Sequence, residues 1–163
     1  MTTAPATTAN DFDFLLGSWR ISNRRLKELL VGSDEWDEFP STSVAQPFFD
    51  GAGSFELVDF PTKGWKGMSV RLFDPEREEW TIYWANNRTG LLQAPVVGRF
   101  VDGRGEFYGD DTHDATPEGT PVRARYLWTE ITERSARWEQ AFSVDGERTW
   151  ETNWIMELER VDA

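Results

Sequence analysis

The chain has 163 residues, enough for one domain with a buried core, and it carries 29 acidic against 17 basic side chains, a formal net charge of -12. That balance excludes the basic footprint by which proteins displace counterions from nucleic acid or settle on an anionic membrane. Without cysteine there is no disulfide framework, thiolate nucleophile or cysteine-based metal site.

The first ten residues, MTTAPATTAN, have neither a basic start nor an apolar run. They are expected to be a disordered leader, and residues 11–163 a single domain of a cytoplasmic protein. No later stretch approaches the ~20 apolar residues of a spanning helix. The aromatic content is high for so polar a chain: 9 Trp, 11 Phe and 3 Tyr. Each Trp brings a large apolar area and an indole N–H that needs a partner when buried. The rings must either fill a core or line a cavity.

Asn10 or Asp11 can cap a helical turn over Phe12–Leu16 that stops at Gly17. A first strand follows at about Trp19–Glu28, with Trp19, Ile21, Asn23 and Arg25 on one face. A second spans 35–49, where Pro40 implies an edge or bulge. Gly51-Ala-Gly53 turns into a third strand, Ser54–Phe60, and a fourth covers Trp65–Phe73. Asp74-Pro-Glu-Arg77 is type I turn chemistry. The fifth strand, Glu79–Asn86, places Trp80, Ile82 and Trp84 on one side.

After Asn87-Arg-Thr-Gly90 and a looser passage through Pro95, Val96–Val101 and Glu106–Tyr108 form a hairpin across Asp102-Gly-Arg-Gly105. Gly109–Gly119 reads as an acidic loop. Pro121–Ile131 aligns Val122, Ala124, Tyr126 and Trp128. The last hairpin puts Trp138, Gln140 and Phe142 together in Ser135–Ser143. Its partner, Thr149–Arg160, puts Trp150, Thr152, Trp154, Met156 and Leu158 together.

No long stretch keeps a helical period. About ten short strands with turns every 8 to 12 residues argue an all-β chain, a barrel or sandwich. Sequential strands joined by tight turns favour a single antiparallel up-and-down β-barrel of about 8–10 strands, its N-terminal helical turn closing one end. A barrel of that size has room for one small ligand.

Gly17-Ser-Trp19 after a short apolar turn resembles the first motif of the calycin superfamily, the lipocalin-like barrels. The further segments Arg71-Leu-Phe-Asp74, Trp80-Thr-Ile-Tyr-Trp84 and Thr149-Trp-Glu-Thr-Asn-Trp154 resemble an uncharacterised bacterial family of small lipocalin-like proteins. In calycin barrels the motif Trp lies at the closed end under a basic residue of the C-terminal strand. The resemblance therefore implies a structural floor of Gly17, Trp19 and Arg160. It supplies no reaction. A related barrel group binds haem through a histidine, but the single histidine here, His113, sits in the acidic loop. It is poorly placed to enter a barrel, and no cofactor is expected.

The Asp110, Asp111, His113 and Asp114 cluster reads as a solvated loop, since its spacing matches no standard metal site. No nucleophile elbow or phosphate-binding glycine pattern occurs. Ser143-Val-Asp-Gly-Glu-Arg-Thr-Trp150 resembles a single Asp-box hairpin, which is structural.

The chemistry rests on the inward faces. Trp84, Tyr126, Trp128, Trp138 and Trp154, with Trp80, can form an aromatic lining among the polar residues Asn23, Arg25, Asn86, Gln140 and Thr152. Trp36 and Glu38 join this set at the far rim if the register around Pro40 permits. Apolar walls with sparse polar anchors are the usual form of a small-molecule pocket.

Three readings follow. In the first, the barrel binds a small, largely apolar or aromatic molecule. In the second, a cavity carboxylate, with Glu38 the candidate, runs a cofactor-independent isomerase or cyclase. In the third, the barrel is packed solid and serves a structural or interaction role. No nucleic acid or membrane partner is expected, and the chain is expected to be a monomer or homodimer.

Overall fold

A computed structural model describes residues 9–111, 116–117 and 119–161. The fold is a closed antiparallel barrel of ten strands. They are β1 (Gly17–Leu26), β2 (Trp36–Phe48), β3 (Gly53–Phe60), β4 (Trp65–Asp74), β5 (Glu79–Asn86), β6 (Val96–Val101), β7 (Arg104–Asp111), β8 (Val122–Thr129), β9 (Ser135–Ser143) and β10 (Glu151–Arg160). Every strand pairs with its sequence neighbours, and β1 pairs with β10 to close the ring. The all-β meander expected from the turn spacing is what forms. The expected leader falls mostly on residues 1–8, which lie outside the described residues, as do His113 and Asp114.

Alternation decides which side chains go inside. On β1, Trp19, Ile21 and Asn23 are buried while Arg20, Ser22 and Arg24 are exposed. β2 runs without a break in register past Pro40, from Gly17↔Ala45 to Leu26↔Trp36. Pairing with β3 begins only at Thr42↔Asp59, so Pro40 withholds its missing N–H from no β3 partner. This register sends Phe39, Ser41, Ser43 and Ala45 inward. Glu38 is consequently on the outer face with its side chain 75% exposed, 3.7 Å from Arg24. That position corrects the expectation of a cavity carboxylate at Glu38. Trp36 likewise does not reach the cavity; it lies under the guanidinium of Arg24, 4.9 Å from the ring centroid.

A second correction concerns the last strand. The β9–β10 register shifts between Thr152 and Trp154. The bulged residue, Asn153, is fully buried and accepts a hydrogen bond from Gln140 Nε2 at 2.9 Å. A one-residue bulge reverses the facing of everything before it. Trp154 and Leu158 stay inside, but Trp150 swings out to pack against Tyr108 and under Arg125. Similarly, β7 is longer than its apolar core suggested, because it continues to Asp111↔Val122 along β8.

The closed end is built by the chain before β1. A single 3-10 turn, Asp13–Leu15, has Phe12 at its N-cap and no side-chain cap bond. Phe12 plugs the barrel, meeting Trp80 and Phe100 edge-on at 4.9 Å and Phe107 at 5.7 Å. Trp19 donates its indole N–H to the Leu15 carbonyl at 2.8 Å. Arg160 covers that ring at 4.3 Å and donates to the carbonyls of Phe14 (2.6 Å), Leu16 (2.5 Å) and Glu133 (2.9 Å). Gly17 is required here: its φ is +108°, and a Cβ would stand 2.8 Å from Arg160 Nη1.

The β9–β10 turn is held by Asp145. Its carboxylate accepts from Thr149 Oγ1 (2.6 Å), Thr149 N (3.0 Å) and Ser143 Oγ (2.9 Å). Bonds to Thr149 above all, then to Ser143, hold its pKa down from 3.8 to about 2. A depressed carboxyl pKa stabilises the fold above the unfolded value and loses that contribution as pH falls through the folded one. The wild-type chain should therefore lose stability between about pH 4 and pH 2 more steeply than Asp145→Asn, as urea unfolding at stepped pH will measure. Equal acid slopes would contradict this.

Candidate functional site

The barrel is not packed solid. A cavity of about 210 Å³ opens above the Phe12 plug. Its apolar wall comes from rings on five strands: Trp65, Trp84, Tyr126 and Trp128, Trp138, and Trp154. Tyr126 meets Trp138 edge-on at 5.1 Å, and Trp138 meets Trp154 at 5.7 Å. Buried Phe60 joins the far side, stacked on Trp65 at 4.1 Å and 5.9 Å from Trp154. These contacts fix the ring orientations. Trp154 is held from behind, donating its indole N–H to Asn23 Oδ1 at 3.0 Å, while Asn23 donates to Ser41 at 2.8 Å.

The polar groups are few. At the inner end Arg71 Nη2 donates to Glu56 Oε1 at 2.8 Å, with side chains only 3% and 7% exposed. Phe12 and Trp128 cover the guanidinium at 5.1 and 5.9 Å. Buried Ser69 and Gln140 add two further polar groups to the lining. Burial pushes the Tyr126 phenol far up, Asp111 adds to the shift and Arg71 partly offsets it. Tyr126 therefore stays a neutral donor at any physiological pH.

The open end lies where β5 and β6 part. They pair over only Trp80↔Gly98, Thr81↔Val97 and Ile82↔Val96. Beyond, an isolated bridge, Ala85↔Leu92, and the bond from Gln93 N to the Trp84 carbonyl hold the connecting segment. Asn86 shapes this rim by accepting from Arg88 N and Thr89 N at 3.0 and 3.2 Å. Two arginines stand at the mouth. Arg25 lies over Trp154 at 4.6 Å, and Arg88 lies over Trp65 at 5.5 Å. Burial lowers the Arg25 pKa, the Arg88 charge lowers it further, and Asp37 pulls the other way. The guanidinium remains charged. The cavity shares Arg25, Leu29, Trp65 and Arg88 with a shallower groove that also reaches Lys27, Asp37 and Lys63.

Of the residues expected at the site, Arg25, Trp84, Asn86, Tyr126, Trp128, Trp138, Gln140 and Trp154 line this one cavity. Trp80 does not; it is fully buried against Phe12 and Phe73 in the plug. Sequence reasoning missed Glu56 and Arg71, although both sit at inward parity on neighbouring strands, an acid and a base where apolar residues are the rule. It also missed Gly67. A Cβ there would stand 2.1 Å from the Trp84 ring, so the glycine is the bed on which Trp84 lies. Trp65 and Arg88 flank loops, where alternation carries no signal. Among the described residues no group of three acidic, His or Cys side chains could hold a metal, and Asp110 is bound to Arg123 at 2.9 Å.

No family model matches the chain, and no curated protein matches it. Among solved structures it is similar to a protein of unknown function from the DUF3598 family of Nostoc punctiforme PCC 73102. The two share 15% identity with a TM-score of 0.53 over 96% of this chain. The chain spans about half of that protein, 50% of its length. At this identity the likeness concerns the barrel alone. Among the described residues no helix is long and apolar enough to cross a membrane.

Proposed function

We propose that this chain is a calycin-like barrel that binds one small aromatic molecule, of one or two rings, in the cavity between Trp65, Trp84, Trp138 and Trp154. It does so in the cytoplasm, as a monomer or homodimer, and without a cofactor. The observation that carries this reading is the cavity of about 210 Å³ left among rings that are otherwise mutually packed. A cavity of ~150 Å³ holds benzene, so the space suits a somewhat larger planar molecule. Ring-lined walls with sparse polar anchors favour binding by stacking and desolvation. Supporting the same reading, the two carboxylates among the described residues of the cavity wall are Glu56, committed to Arg71, and Asp111 beside Tyr126.

Tryptophan emission reports binding directly, since five indoles line the space. Titration with 2-naphthol should quench it saturably at one site per chain. Ser69→Phe places a ring in the inner end of the cavity, at a stability cost of ~1–3 kcal/mol from overpacking. It should weaken 2-naphthol at least tenfold, which corresponds to about 1.4 kcal/mol. Non-saturable quenching, or equal affinity in Ser69→Phe, overturns the proposal.

A further inference from the structure

We infer that the molecule this cavity takes is an aromatic carboxylate, its oxyanion held between Arg25 and Arg88 at the mouth and its ring among the tryptophans. The inference rests on the binding reading above and adds the charge of the ligand.

Two guanidiniums at one rim repel each other, and each sits on an indole that forms the cavity wall. Phe60 spans those two indoles, so the cations stand on adjoining parts of one aromatic surface. Neither arginine forms an ion pair with a described carboxylate. The acid nearest in charge to Arg25, Asp37, is bound to Lys63. The other cavity cation, Arg71, is neutralised by Glu56. Asp111, on β7, is four strands round the barrel from β1 and faces Tyr126.

Among the described residues the lining thus holds three arginines against two carboxylates, in a chain with 29 acids and 17 bases. In so acidic a protein, a rim with two guanidiniums that form no ion pair with a described carboxylate selects for anions rather than repelling them. Guanidiniums bind planar oxyanions in two-point geometry, which a carboxylate matches. A surplus of a single positive charge on the described lining residues fits a monoanion better than a phosphate dianion.

Calorimetric titration with a matched panel tests this: 2-naphthoate, 2-naphthamide and 2-naphthyl phosphate, with benzoate and cinnamate and their amides. The acids should bind at least about tenfold tighter than their amides, a preference that falls as salt rises. Arg25→Gln/Arg88→Gln should bind acid and amide alike. Arg88→Gln alone, on an exposed turn, should lose part of the preference without disturbing the fold. Equal wild-type affinity for acid and amide overturns the carboxylate assignment and leaves the binding site standing. So does a preference that survives in the double variant. Tighter binding of the phosphate replaces the monoanion with a dianion and overturns the assignment too. Failure of every panel member to bind overturns the binding site itself.

Discussion

Glu56→Ala is expected to lower unfolding stability by about 3–5 kcal/mol, the cost of leaving a buried charge without its partner. Arg71 is 3% exposed, and its Nε and Nη1 have no hydrogen-bond partner among the described residues. Its side chain donates to Glu56 and lies against the rings of Phe12 and Trp128. Ring faces attract the cation but do not replace a carboxylate. For a domain of this size the loss is a large part of the ~5–15 kcal/mol that holds it folded. The paired replacement Glu56→Leu/Arg71→Met should restore most of that loss, because it removes both charges together. Guanidinium denaturation of the wild type, the single variant and the pair checks the claim. A loss below about 1 kcal/mol in Glu56→Ala would mean that solvent reaches Arg71 and the pair is not buried in effect.

Trp19→Ala is expected to cost about 3–5 kcal/mol, the usual range for deleting a buried indole from a core. Three things leave with the ring: its packing at 1% exposure, its bond to the Leu15 carbonyl, and the surface on which Arg160 rests. Trp19→Phe keeps a ring beneath Arg160 and loses the indole N–H, so its cost should be about 1–2 kcal/mol. The floor and the cavity mouth are at opposite ends of the barrel. Trp19→Phe should therefore bind 2-naphthol as wild type does, which separates the structural tryptophan from those of the cavity. Thermal and denaturant unfolding give the stability, and emission titration gives the binding. A change of more than a few fold in affinity would tie the floor to the site.

The contrast between those two positions explains what was legible in the sequence. Turn residues and strict alternation are local signals, and they were enough for the meander, for the inward set on β1 and for the rings of β5, β8 and β9. Trp19 and Arg160 came from a resemblance, and the geometry adds that Arg160 works through three backbone carbonyls as well as the ring.

What alternation cannot report is a change of phase. The Asn153 bulge turned Trp150 outward, and the unbroken run through Pro40 left Glu38 and Trp36 outside. In both cases one residue of register separates a cavity wall from the solvent face. The Glu56–Arg71 pair was hidden for a different reason. A charged residue at inward parity reads as an error of phase until its partner on the next strand is known. The mouth was hidden too, since Trp65 begins a strand and Arg88 lies in a turn, and only the parting of β5 from β6 makes that region an entrance.

The most direct measurement is an experimental structure of the protein grown with 2-naphthoate. Ring density is expected inside the barrel, bounded by Trp65, Trp84, Trp138 and Trp154, with the carboxylate between Arg25 and Arg88. Density confined to the outer surface, or an interior in which those four indoles have closed the cavity, would contradict it.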